Sequence, residues 1–198
     1  MTQFNSFYDA LNATELYEFC HKYGTIRQFD KGEFFAHEGE RCRYIGIVTK
    51  GYFKYALHSS DGHEAITGFA LINEFVVHYI SATTETPCPT SIVAGCRTEA
   101  IIVPVKTFND VYLKRINPGD ACEFAITLFK SCYDRYLTLY RLTPKERYAE
   151  LIRNGNNIIK TVPLKELASY LMITPQYLSR IRRELNEESR RNHDFNLN

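Results

Sequence analysis

The stretch LKELASYLMITPQYLSRIRR, Leu164 to Arg183, gathers the side chains with the most definite chemistry in the chain. Gln176, Tyr177, Ser179, Arg180 and Arg183 share the outer face of a helix-period pattern. On such a face hydroxyls and amides can hydrogen-bond base edges in a DNA major groove, and guanidinium groups can fork onto guanine or neutralise phosphates. The elements that would carry this face are legible around it. Leu164, Leu167, Ala168 and Leu171 make one side of a first helix, and Met172-Ile173 carries the turn. Thr174-Pro175 then opens a second helix with a hydroxyl cap and a proline in its first turn. Leu178, Ile181 and Leu185 line its inner side, and Ala168 supplies the small residue wanted where two helices cross. Met172 stands where turns of this kind often place glycine. Lys165, Arg182 and Arg183 lie where phosphates would pass.

Other reactive residues are dispersed. The six cysteines (Cys20, Cys42, Cys88, Cys96, Cys122, Cys132) contain no CxxC pair, which argues against a zinc ribbon or a cysteine-ligated cluster and for reduced, buried thiols. His37, His58, His63 and His78 are the candidate ligands of a cupin-like, metal-dependent barrel enzyme, but no HxH pair occurs among them. No nucleophile–base set is recognisable, so an enzyme is not expected and no cofactor or metal is implied.

Charge divides the chain. Residues 1–140 carry 13 Lys+Arg against 16 Asp+Glu, whereas 141–198 carry 11 against 7. A mildly basic tail on an acidic body fits a polyanion-binding module set apart from the rest. No apolar run approaches the roughly 18–20 residues of a membrane span, and the first residues lack the pattern of a secretory signal, so a cytoplasmic protein with no membrane partner is expected.

From Thr25 to Val105, short β-branched and aromatic runs alternate with turn signals at roughly 8–12-residue spacing, as in an antiparallel sandwich or barrel. The runs are Phe34-Phe35, Tyr44–Val48, Tyr52–Leu57, Ala65–Leu71, Ser91–Ala94 and Ala100–Val103, with Asp61-Gly62 a hairpin turn. Residues 6–23 suggest one or two helices through Phe7, Leu11, Leu16 and Phe19, and 107–116 a short helix broken at Asn117-Pro118-Gly119. Asp120 is then the expected cap of a long helix over 121–142. Two apolar stripes run along it: Ala121, Ala125, Leu128, Cys132, Leu139 and Leu142, and beside them Cys122, Ile126, Phe129, Tyr133, Tyr136 and Tyr140. A helix on a monomer surface needs one stripe. Two predict a homodimer, with the first stripe as its interface. Thr143-Pro144 restarts the chain as a new helix, and Asn186 to Asn198 is polar enough to fray.

Over nearly all its length the chain resembles the bacterial family of the cyclic-AMP receptor protein and the fumarate–nitrate-reduction regulators, the Crp/Fnr transcription factors. The match lies in AHEGERCRYIGIVTKGYFKYALHSSDGHEAI, the long helix, and RLTPKERYAELI with VPLKELASYLMITPQYLSRIRREL, which look most like members from the Bacteroidetes. The resemblance implies an α+β protein: an N-terminal antiparallel β-roll of cyclic-nucleotide-binding-like jelly-roll form with flanking helices (1–117), a dimerisation helix (118–142) and an all-α helix-turn-helix DNA-binding domain (143–198). It makes Arg180 the main base reader, with Gln176 and Pro175 at other base-facing positions and Lys165, Thr174, Tyr177, Ser179 and Arg183 completing the interface. It also implies an effector pocket at Glu74, Phe75, Thr90 and Ser91. The cyclic-AMP subgroup begins its phosphate cassette with Gly-Glu and ends it with Arg-Ser. Here those places read Asn73-Glu74-Phe75 and Cys88-Pro89-Thr90-Ser91, with no arginine to neutralise a buried phosphate. Cyclic AMP is therefore not the expected effector, and either another small molecule or none fills the role. No cysteine cluster for an iron–sulfur sensor stands at the N-terminus, and no clear two-strand wing follows Glu184-Leu185. The expectation is a homodimer on an inverted repeat of double-stranded DNA, with RNA polymerase as a further partner. Besides the cupin-like enzyme, the alternative is a ligand sensor whose helix-turn-helix docks another protein.

Overall fold

The computed structural model describes residues 5, 13–58, 60, 62–154 and 158–195. Helix α1 (Ala13–Tyr23) leads into strands β1 (Thr25–Phe29), β2 (Phe34–Ala36), β3 (Tyr44–Lys50), β4 (Phe53–His58), β5 (Glu64–Ala70) and β6 (Phe75–Val76). Helix α2 (Tyr79–Thr84) precedes β7 (Ser91–Ala94) and β8 (Thr98–Pro104); α3 (Val105–Thr107) begins a run of short helical turns that ends at Arg115. Then come α4 (Pro118–Arg141), α5 (Pro144–Asn154), α6 (Ile158–Thr161), α7 (Leu164–Tyr170) and α8 (Pro175–Phe195).

Eight antiparallel strands form two four-stranded sheets, ordered β1-β8-β3-β6 and β2-β7-β4-β5. This is the expected roll. Its core holds Phe29, Phe35, Phe53, Ile47, Ile92 and Ile102, with Phe19 of α1 packed in from outside the sheets. Phe7 and Leu11 lie outside the described residues, as does Asp61; Gly62 in the β4–β5 hairpin has φ 81°, the left-handed backbone a tight hairpin requires.

Strand β5 belongs to two cores. Its pairing with β4 slips between Tyr55↔Gly68 and Ala56↔Ile66, leaving Thr67 as an extra residue. Such a bulge breaks the strict alternation of faces. Ile66 and Phe69 therefore both face outward, where with Tyr52, Ala56 and Leu71 they join Leu151, Ile158, Leu167, Leu171, Leu178 and Ile181 in a second apolar cluster. That cluster fastens the C-terminal helices to the roll. Burying each such side chain contributes about 1.5–3 kcal/mol.

Three local expectations need correction. Asn117-Pro118-Gly119 does not precede the long helix but starts it: Asn117 Oδ1 accepts from Gly119 N at 2.9 Å, and Pro118 fills the first turn, where its missing N–H costs nothing. Asp120 lies inside the helix. Helix α8 continues to Phe195, past the point where fraying is expected, and among the described residues no strand follows it. Of the six free cysteines, Cys122 and Cys132 are exposed on α4 rather than buried.

Candidate nucleic-acid interface and sensor pocket

Helices α7 and α8 form the helix-turn-helix. Leu167, Ala168, Leu171, Leu178 and Ile181 are buried between them, with Ala168 fully enclosed at the crossing. Met172 has φ 56°, so the turn does need the left-handed conformation that glycine adopts most easily, and the sequence meets that need with a strained methionine. Thr174 caps α8 as expected: its Oγ1 accepts from Tyr177 N at 3.2 Å. Thr143 caps α5 reciprocally, its N donating to Glu146 Oε2 at 2.8 Å and its Oγ1 accepting from Glu146 N at 3.3 Å.

The outer face of α8 presents Gln176, Ser179, Arg180 and Arg183 to solvent, with Pro175 and Tyr177 half-buried beside them; Lys165 of α7 is exposed too. Arg180 rests its guanidinium 4.7 Å from the Tyr177 ring centroid, and its Nε stands 3.7 Å from Glu184 Oε1. Exposed pairs of this kind are worth only about 0.2–1 kcal/mol, so they orient the arginine without committing it. An exposed guanidinium stacked on an aromatic ring suits bidentate contact to a guanine edge.

The helix-turn-helix is held by polar contacts as well as by the second core. Glu166 of α7 accepts from Tyr52 Oη at 2.9 Å and from Lys54 Nζ at 3.3 Å, and Lys54 also reaches Glu64 at 2.8 Å. Burial works against the Lys54 ammonium, but the hydrogen bond to Glu64 and the charges of Glu166 and Glu64 outweigh it and raise its pKa. Ser169 Oγ accepts from Ile66 N at 3.0 Å and donates to Glu64 O at 3.4 Å, so α7 occupies the free edge of β5. Gly95 makes room for this clasp: a Cβ there would lie 2.1 Å from the Tyr52 ring.

A cleft of about 1320 Å³ opens between the roll, α1 and α4. Of the four expected effector residues, Phe75 and Thr90 lie on its wall, while Glu74 and Ser91 are buried behind it. Ser91 Oγ is taken by Glu38 N at 3.1 Å. The carboxylate of Glu74 accepts from Leu71 N at 3.0 Å and from Asn5, and burial raises its pKa while these donors and Arg135 pull the other way. The Thr90 carbonyl accepts from His78 Nε2 at 2.7 Å, and burial lowers the pKa of that imidazole. Asn5, Tyr55, His78 and Arg135 thus belong to the pocket without having been legible as such. The cationic groups on the wall, Lys22, Arg115 and Arg135, come from helical segments and not from the Cys88–Ser91 loop. His37 is stacked on Phe34 at 4.0 Å and His58 faces Glu64 at 3.7 Å; among the described residues no group of three His, Cys, Asp or Glu side chains could hold a metal ion.

Helix α4 has no buried residue. Of the first stripe, Ala121, Leu128, Leu139 and Leu142 are half-buried, and Ala125 and Cys132 are exposed. The second stripe is the more exposed, although its Phe129 also borders the cleft. Ile126, Phe129, Tyr133, Tyr136 and Tyr140 are 50–72% exposed and follow one another as a ladder, Phe129 and Tyr133 stacking at 5.9 Å and Tyr136 touching Tyr140 at 5.1 Å.

Comparison with known proteins supplies the frame for these features. Residues 26–115 match the model of the cyclic nucleotide-binding domain. No curated protein matches the sequence. Among solved structures, FixK2 from Bradyrhizobium japonicum superposes with a TM-score of 0.70 at 18% identity, covering 84% of this chain and 86% of its own. The catabolite activator protein of Thermus thermophilus gives 0.53 at 21%, covering 92% and 87%. A transcriptional regulator assigned to the Crp/Fnr family from Eubacterium rectale gives 0.61 at 16%, covering 91% and 86%. The chain as a whole has the fold of the Crp/Fnr transcription regulators.

Proposed function

We propose that the protein is a sequence-specific DNA-binding transcription regulator of the Crp/Fnr type. It divides into a sensor roll (1–117), a dimerisation helix (118–142) and a DNA-binding head (143–198), and as a homodimer it binds an inverted repeat. The observation that carries this reading is the exposed set Gln176, Ser179, Arg180 and Arg183 on the second helix of a capped helix-turn-helix. Dimerisation is supported by α4, whose aromatic stripe lacks cover within one chain. The aromatic stripe from Ile126 to Tyr140, flanked by Ala125 and Cys132, is the better centre of that interface, because Ala121, Leu128, Leu139 and Leu142 are already part-covered by their own chain. RNA polymerase is the further partner proposed for the DNA-bound dimer. Cyclic AMP is not its effector, since the Cys88–Ser91 loop offers no arginine to a phosphate.

Selection of bound sequences from random duplex DNA tests this reading. The expected product is a two-fold site whose half-sites are separated by about 34 Å or a multiple of it. Arg180→Ala should cost roughly 1–3 kcal/mol per half-site and relax one base preference. Arg183→Ala should weaken all sequences alike and lower the salt slope by about one unit per half-site. No enrichment of any sequence would refute the reading.

A further inference from the structure

Asn5 is buried at 7% exposure and saturated with partners. Its backbone N donates to Glu74 Oε1 at 3.0 Å, and its Nδ2 donates to Glu74 Oε2 at 2.7 Å and to Phe69 O at 3.0 Å. Its Oδ1 accepts from Arg135 NH2 at 2.9 Å. The partners come from three elements: β5 supplies Phe69, the turn before β6 supplies Glu74, and α4 supplies Arg135. Glu74 is 1% exposed, and a carboxylate so placed persists only if its oxygens are matched by donors. Two adjacent donors from one residue match it bidentately, while the same residue offers an acceptor to the cation beyond. One of those donors is the backbone N–H; the side-chain share, an NH2 group between a carboxylate and a carbonyl and a C=O facing a cation, is the hydrogen-bonding signature of a primary amide.

The site is also at a wall. Asn5 and Arg135 both line the cleft between the roll and α4, so the group held there borders open space. Because no residue of α4 is buried, its seat on the roll does not rest on a packed core, and a polar bridge weighs correspondingly more. We propose that Glu74, the Phe69 carbonyl and Arg135 form an amide-binding site that the chain fills with its own Asn5, a tethered ligand that clips α4 to the roll. Once the Asn5 side chain is removed, a free primary amide of similar size fills the same groups. The proposal does not rest on DNA recognition, and none of its readouts uses DNA.

Amide hydrogen exchange on the full chain tests it, with acetamide as the probe. Asn5→Ala should speed exchange about tenfold or more in α4 around Arg135 and in β5 near Phe69, the equivalent of losing a hydrogen bond to a charged group. Acetamide should restore slow exchange in this variant and leave the unaltered chain unchanged. Acetate, which lacks the donors, should not. Asn5→Asp keeps the shape but sets a second carboxylate against Glu74, so it should loosen the same segments even if the alanine variant folds poorly. Unchanged exchange in both variants would overturn the clip, and fast exchange that acetamide leaves fast would overturn the amide site.

Discussion

Replacing Glu166 with alanine tests how the DNA-binding head is seated. Glu166 and Lys54 are only 14% and 13% exposed, and Tyr52 is 1% exposed. The substitution leaves the Tyr52 hydroxyl without its acceptor, at a cost of about 1–3 kcal/mol. It also takes one of two carboxylates from Lys54, which keeps Glu64 at 2.8 Å, so this loss is smaller, about 1 kcal/mol. A total of roughly 2–4 kcal/mol in a chain of this size corresponds to a fall in Tm of about 4–16 °C. Scanning calorimetry reads it. Because the contact joins head and roll, the single transition should split, with the head melting first. Glu166→Gln keeps an acceptor for Tyr52 and should lose about half as much. An alanine variant that melts within about 1 °C of the unaltered protein, as one transition, would show that water replaces the clasp and that apolar packing alone seats the head.

Three further outcomes follow from other parts of the molecule. Phe129→Asp with Tyr133→Asp should convert the dimer to monomer in sedimentation equilibrium by placing like charges along the exposed stripe, whereas an unchanged dimer would move the interface elsewhere. Met172→Gly relieves a left-handed backbone at an exposed position, so urea unfolding should show stability unchanged or raised by up to about 1 kcal/mol, while Met172→Val should lose more than that. His78 takes up a proton less readily when folded than its ordinary value of 6.5, so its contribution is present above that pH and is lost as pH falls below it. The unaltered chain should therefore lose more stability than His78→Gln between about pH 7.5 and about pH 5.5, and equal losses would rule His78 out as the cause.

The helix-turn-helix was legible because its signals are local. The Thr174-Pro175 cap, the small Ala168 and the apolar spacing all lie within one short stretch, and helix periodicity converts spacing directly into faces. Most strands of the roll were legible for the same reason, but β1 was not. It is an edge strand, TIRQF, with only Phe29 buried, so it carries no alternation to read. The pocket was half legible. Phe75 and Thr90 of the expected set reach the cleft wall, whereas Glu74 is buried behind it, with partners 69 residues away at Asn5 and across the cleft at Arg135, and no local pattern announces such pairings. The clasp between Tyr52 and Glu166, 114 residues apart, was invisible for the same reason. Which stripe of α4 faces outward depends on the direction in which the helix leaves the roll, a tertiary quantity that neither stripe encodes.

The double membership of β5 has a consequence for how the molecule is made. A ribosome delivers the chain from its N-terminus at about 5–20 residues per second, and domains fold as they emerge. The roll can close once β8 is out, because both of its sheets are then complete. At that moment Tyr52, Ile66 and Phe69 lack most of their cover, since the helical residues that bury them lie beyond position 143. For several seconds of synthesis the nascent roll is therefore an adhesive particle, and a message cut short before α5 would leave it so permanently. Chaperone dependence should concentrate in that interval.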